Sequence, residues 1–79
     1  MKKMNIRLDS ITDVKEFNTM ALRCKVDLDI KSDRYTIDAK SLMGIFSIDL
    51  TNTLTLVVHT DDESVFEEVK QIFDKYIVA

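Results

Sequence analysis

The feature that most restricts the fold of this chain is a repeated change in the spacing of its apolar residues. There is no proline and only one glycine in the 79 residues, so element boundaries have to be read from that spacing. In "MNIRLD", Met4, Ile6 and Leu8 recur at a period of two and predict a first strand with one buried face. Ser10 and Asp13 then stand three apart, ahead of Val14, Phe17, Ala21 and Cys24. That is a helix-start signal followed by a helical stripe, and it predicts a helix over about residues 11 to 24. The period returns to two in "KVDLDIKSDRYTIDA", where Val26, Leu28 and Ile30 share one strand face and Tyr35, Ile37 and Ala39 another. Ser32-Asp33 is the expected hairpin turn.

A second helix follows in "AKSLMGIFSIDL", then a fourth strand in "LTLVVHT" with Leu54, Leu56 and Val58 facing inward. Thr60 and Glu63 have capping-box spacing before a last helix, whose stripe is Val65, Phe66, Val69, Ile72, Phe73 and Tyr76. The order is strand, helix, strand, strand, helix, strand, helix. Each strand has one apolar and one mostly polar face, so one antiparallel sheet with the helices packed on one side buries every stripe at once. The expected fold is an α/β (α+β) βαββαβα open-faced two-layer sandwich, formed as a single domain over residues 1–79.

Composition narrows the function. A net charge of -3 gives no electrostatic footprint for a phosphate backbone, and no phenylalanine is interleaved with Lys or Arg, so nucleic acid is not an expected partner. No apolar stretch reaches membrane-spanning length, and none follows Lys2 and Lys3 closely enough to form a signal peptide; a cytoplasmic protein is expected. Cys24 is the sole cysteine and reads as a small core residue. His59, the sole histidine, falls on the strand face away from the helices, beside Thr55 and Val57, as a surface residue. The acidic group Asp61, Asp62, Glu63, Glu67 and Glu68 lacks the alternating oxygens and glycine of a calcium loop, and suits the positive end of a helix dipole. No catalytic constellation, metal-ligand spacing or glycine-rich phosphate loop is present, so neither an enzyme nor a cofactor is expected.

"AKSLMGIFSIDL" is different. Ser41 is placed to cap a helix of two or three turns, its hydroxyl accepting from a backbone N–H. So short a helix cannot bury Leu42, Met43, Ile45, Phe46 and Ile48 together. Ile45 and Ile48 suit packing on the sheet, and an exposed Met43 beside Phe46 suits a contact surface.

Residues 26 to 79, and "AKSLMGIFS" most specifically, resemble HPr, the phosphocarrier protein of the bacterial sugar phosphotransferase system, in its Gram-positive form. The resemblance implies an antiparallel strand order of 1-4-2-3. It also makes Ser41 the equivalent of the serine phosphorylated by an ATP-dependent HPr kinase, and Leu42, Met43, Ile45 and Phe46 the surface that docks on a transcriptional regulator. The N-terminal third departs from that pattern. HPr carries phosphate on a histidine at the start of its first helix; alignment through Phe17 puts Ser10 at that position, Thr12 at the following arginine and Asp13 at the proline. A serine phosphoester is not the high-energy phosphoramidate that a carrier passes on, and Asp9 and Asp13 would repel an incoming phosphate. Phosphocarrier function is expected to be absent, as in the related catabolite-repression protein that lacks the histidine.

Three functions therefore stand open. One is a non-catalytic HPr-like regulatory or interaction domain switched at Ser41; a second is a phosphotransferase-system carrier with an unconventional acceptor. The third is a degenerate HPr-fold oligomerisation or scaffold module. The expected partners are proteins, and the chain itself is expected to be a monomer or weak homodimer.

Overall fold

Ser10 stops the first strand region and starts a helix because its extended backbone (φ -144°, ψ 165°) lets its Oγ accept the N–H of Asp13. Asp13 returns a carboxylate oxygen to the N–H of Asp9, 3.1 Å away, one residue earlier than in an ordinary capping box. The computed structural model describes every residue from Met1 to Ala79. The elements in chain order are β1 (Lys2–Ile6), α1 (Ile11–Arg23), β2 (Leu28–Ser32), β3 (Tyr35–Asp38), α2 (Leu42–Phe46), β4 (Leu54–Val58) and α3 (Glu63–Ile72), followed by a 3-10 turn at Asp74–Tyr76. They form an antiparallel sheet in the order β1-β4-β2-β3, and the three helices pack on one side of it around a shared core.

Register explains the core. Met4 pairs with Leu56 and Leu56 with Ile30, while Ile6 pairs with Leu54 and Leu28 with Val58, so the inward rows are apolar across the middle of the sheet, and Lys2 opposite Val58 ends one of them at the edge strand. Onto that floor α1 lays Val14, Phe17 and Ala21, and the C-terminal segment adds Val69, Phe73 and Tyr76. The ring of Phe17 lies 4.8 Å from that of Phe73 and 5.9 Å, edge-on, from that of Tyr76. No buried side-chain nitrogen or oxygen lacks a hydrogen-bond partner, and no helix is long and apolar enough to cross a membrane.

The departures from expectation are local. β1 starts two residues earlier than Met4 and ends at Ile6, although Leu8 is still buried beyond it. The hairpin turn is Asp33-Arg34 rather than Ser32-Asp33: Ser32 is the last paired residue of β2, opposite Tyr35, and Asp33 takes the positive φ of 44° that closes so tight a turn. α3 is capped by Asp62, not Thr60. Asp62 Oδ1 accepts the Ser64 N–H at 2.8 Å, and Thr60 Oγ1 instead accepts the N–H of Asp62. Ile72 is exposed although it belongs to the expected α3 stripe, because the helix ends there and the chain turns through Phe73. Tyr35 is exposed on the edge strand, and Val57 is buried on the sheet face turned away from the helices. Cys24 is half-buried at the C-cap of α1.

The last residues make an addition that no periodicity announced. Ile77 bridges to Ile6, Arg7 N–H donates to the Tyr76 carbonyl and Val78 N–H to the Asn5 carbonyl, both at 2.9 Å. The tail thus covers the free edge of β1. Glu16 on α1 ties it down, its Oε2 accepting from Lys75 Nζ at 2.6 Å and from the Tyr76 hydroxyl at 3.3 Å.

Candidate functional site

α2 is short because its surroundings terminate it at both ends. Beyond β3, Ser41 N–H donates to the Asp38 carbonyl and Lys40 N–H to the Asp38 carboxylate, each at 2.9 Å, turning the chain off the sheet. Ser41 keeps an extended backbone (φ -96°, ψ 105°) and its Oγ accepts the Gly44 N–H at 3.1 Å. At the other end Ser47 Oγ takes up the Gly44 carbonyl at 2.6 Å. The helix is five residues long rather than the two or three turns expected.

Gly44 has a steric reason to lack a side chain. A Cβ there would sit 3.1 Å from Ser41 Oγ, closer than a carbon and a hydroxyl oxygen ordinarily approach. The one glycine of the chain leaves room for the capping hydroxyl.

The side chains of α2 divide sharply. Ile45 has no exposed surface and belongs to the core, so the expected docking group Leu42, Met43, Ile45 and Phe46 has to lose Ile45. Leu42 is half-buried against the core, whereas Met43 is 80% exposed and Phe46 40% exposed.

α1 extends this surface. Ile11, Asn18 and Leu22 stand at i, i+7 and i+11, hence on one helix face. Asn18 Nδ2 on that face donates to the Ala39 carbonyl at 3.4 Å, just ahead of α2, so the face is turned towards α2. Ile11 and Leu22 are 65% and 59% exposed. The signal was present in their spacing, but the stripe of Val14, Phe17 and Ala21 accounts for the helix without them. Lys40 Nζ reaches the Cys24 carbonyl at the end of α1, and Leu50 and Thr51 border Ser10 and Ile11 at its start. The α2 segment therefore runs beside α1 in the opposite direction, and a seam of exposed apolar groups lies between Ser41 at one end and Ser10 at the other.

At the Ser10 end an open depression of about 330 Å³ is lined by Arg7, Asp9, Ser10, Ile11, Leu50 and Thr51. The Ser10 hydroxyl is 3.0 Å from the Asp13 N–H it caps. Arg7 spans the depression, with Nε 3.4 Å from Asp9 Oδ1 and Nη2 donating to the Thr51 carbonyl at 3.1 Å. No histidine is near: His59 lies just past Val58, which pairs with Lys2 at the opposite end of the sheet. It is not a solitary surface residue, because its Nε2 is 2.7 Å from Asp29 Oδ2 on β2.

Of the acidic group, Asp61, Asp62, Glu63 and Glu67 have structural partners. The N-terminal ammonium holds the Asp61 carboxyl below the usual carboxylate range, at 2.6 Å, and Glu63 hydrogen-bonds Lys2 and raises the lysine's pKa. Ser64 does the same for Asp62 as the ammonium does for Asp61. Burial pushes the Cys24 thiol up, away from the thiolate form that a nucleophile needs.

The sequence matches no known protein family and no curated protein. Solved structures do match. The crystal structure of HPr-C-His from Thermoanaerobacter tengcongensis aligns over 96% of this chain and 91% of its own, with a TM-score of 0.75 and 25% identity. The phosphocarrier protein HPr from Bacillus anthracis aligns over 90% of this chain and 94% of its own, with a TM-score of 0.66 and 23% identity. The four-stranded 1-4-2-3 sheet with its three helices is the HPr fold, and the resemblance of "AKSLMGIFS" to HPr extends to the backbone of the whole domain.

Proposed function

We propose that this chain, built on the HPr fold, is a non-catalytic regulatory or interaction domain, modified at Ser41 and docking protein partners through the seam between α1 and α2. The observation that carries the proposal is the placement of a capping hydroxyl two residues before a methionine that is 80% exposed. A charge added at Ser41 falls at the border of an apolar contact surface while Ile45, the residue that anchors α2, stays in the core.

The Ser10 end supports the negative half of the proposal. Where HPr has its phosphate-carrying histidine, the resemblance aligned through Phe17 puts Ser10, whose hydroxyl cannot form a phosphoramidate. Its neighbours include the carboxylates of Asp9 and Asp13. Any phosphate attached there would be an ester of low transfer potential.

At Ser41 the reaction is an ordinary kinase transfer. The hydroxyl oxygen attacks the γ-phosphorus of ATP, the bond to the β-phosphate bridging oxygen breaks, ADP leaves, and the hydroxyl proton passes to the kinase's base. The product adds about -2 charge. Beside Met43 that charge repels a partner with an apolar or acidic docking face and favours one that presents basic groups. By the resemblance to HPr, an HPr kinase supplies the phosphate and a transcriptional regulator of the cytoplasm is a partner. Incubation with ATP and HPr kinase tests this reading: peptide mass spectrometry is expected to find one phosphate, on Ser41, and none in Ser41→Ala. A wild-type chain without label on Ser41 would overturn it.

A further inference from the structure

A second apolar surface, of which Ser41 is not part, lies between the end of α1 and α3. There Cys24 and Val26 form one wall of a groove, and Val65, Val69 and Ile72 the other, enclosing about 350 Å³. Val65, Val69 and Ile72 follow one another at i, i+4 and i+7, a full apolar stripe along α3. Val69 is buried by the core, yet Ile72, at the end of the same stripe, is 44% exposed. A β-branched side chain at the lip of an apolar groove projects a group of the kind the groove accepts.

The charges at the rim have a definite arrangement. Arg23 and Lys25 stand on the α1 side, and Glu68 on the α3 side, one turn before Ile72. None of the three makes an ion pair within the chain, although five pairs of charged groups form elsewhere. The groove has one wall positive, one wall negative and an apolar strip between, and such a surface is complementary to itself under a two-fold rotation. Rotation brings the Glu68 and Ile72 wall of one copy against the Arg23 and Lys25 wall of the other, and the reverse contact forms at the same time.

We propose that this groove is the interface of a symmetric homodimer, in which each copy places Ile72 in the other's groove and Glu68 against the other's Arg23 and Lys25. The surface involved is small against the ~800 Å² per partner of a standard stable complex. The dimer is therefore weak and strongly dependent on concentration. None of Ser41, Met43 and Phe46 lines the groove, and the inference does not depend on phosphorylation of Ser41.

Sedimentation velocity of the full chain at low ionic strength, from micromolar to millimolar concentration, tests the proposal. The wild type is expected to move from the mass of one chain to that of two, and Ile72→Asp to remain at one chain while keeping its far-UV circular dichroism. Glu68→Lys alone weakens association about tenfold, and adding Arg23→Glu and Lys25→Glu to it restores association to within about threefold. That rescue decides the matter even if Ile72→Asp disturbs folding, since all three charged positions lie at the surface. Phe46→Ser is expected to leave the dimer intact. A wild type that stays at one chain in millimolar solution, a charge swap without rescue, or a dimer abolished by Phe46→Ser would each overturn the assignment.

Discussion

Replacing Ile45 and Met43 in turn by alanine separates what holds α2 in place from what it offers to a partner. The two residues are neighbours but one on a five-residue helix. Ile45 has no exposed surface and packs in the core, whereas four-fifths of Met43 is exposed. Truncating a buried isoleucine costs about 2–5 kcal/mol, and the lower half of that range applies where a short element can settle into the space left behind. α2 is such an element, with a cap at Ser41 and a turn at Ser47 but little helix between them, so Ile45→Ala should cost about 2–3 kcal/mol. A domain of this size has about 4–12 kcal/mol in total. The variant still folds but loses a large share of its stability, and its melting point falls by at least about 8 °C. Met43→Ala, which removes mostly solvated surface, stays within about 0.5 kcal/mol of the wild type. Urea titration followed by far-UV circular dichroism at fixed pH measures both. If Ile45→Ala cost less than about 1 kcal/mol, or Met43→Ala cost more than Ile45→Ala, the division of α2 into an anchoring and a docking side would be wrong.

Ser41→Ala leaves the Gly44 N–H without its acceptor and should cost about 1 kcal/mol. Gly44→Ala tests the space around that hydroxyl: in the Ser41→Ala background the alanine should gain most of the ~1 kcal/mol helix preference over glycine. With Ser41 present its Cβ meets Oγ at 3.1 Å, so less of the gain appears, and a double-mutant cycle in urea reads the difference. Lys75 holds the Glu16 carboxyl below the usual glutamate value. The contact with the tail therefore contributes fully above that value and is lost as pH falls through the lower folded value. Glu16→Gln should flatten this acid limb and speed amide exchange at Val78, whose N–H bonds β1; unchanged exchange would mean that the carboxylate does not hold the tail.

Strand and helix order was legible because each buried face repeats at its own period. Leu54, Leu56 and Val58, or Val14, Phe17 and Ala21, could belong to nothing else. The strand order 1-4-2-3 did not follow from periodicity, since an alternating strand identifies its buried face but not its neighbour; it came from the resemblance to HPr. Ends were harder, because several residues could serve them. Thr60 and Asp62 both suit a cap, and only the backbone decides that Asp62 faces Ser64. The tail was hidden for a related reason: Ile77 and Val78 bond to β1 through main-chain groups, which carry no side-chain signature.

At the site, the cap at Ser41 and the exposure of Met43 and Phe46 followed from too many apolar residues on too short a helix. Ile45 was misassigned to the docking group because resemblance delivers a segment, while burial alternates within it. Ile11 and Leu22 were passed over because they lie beside the core stripe of α1, and their proximity to α2 is a tertiary fact.

The central claim is that the Ser41 end of the seam accepts phosphate and the Ser10 end does not transmit it. Its most direct test is the acid stability of label acquired from two donors. The chain is incubated in one arm with ATP and HPr kinase, and in the other with phosphoenolpyruvate and the first enzyme of the phosphotransferase system. Each product is then mapped by mass spectrometry at neutral pH and after mild acid. The expected result is an acid-stable phosphoester on Ser41 in the first arm and no label in the second. An acid-labile adduct from phosphoenolpyruvate, on His59 or any other residue, would contradict the account.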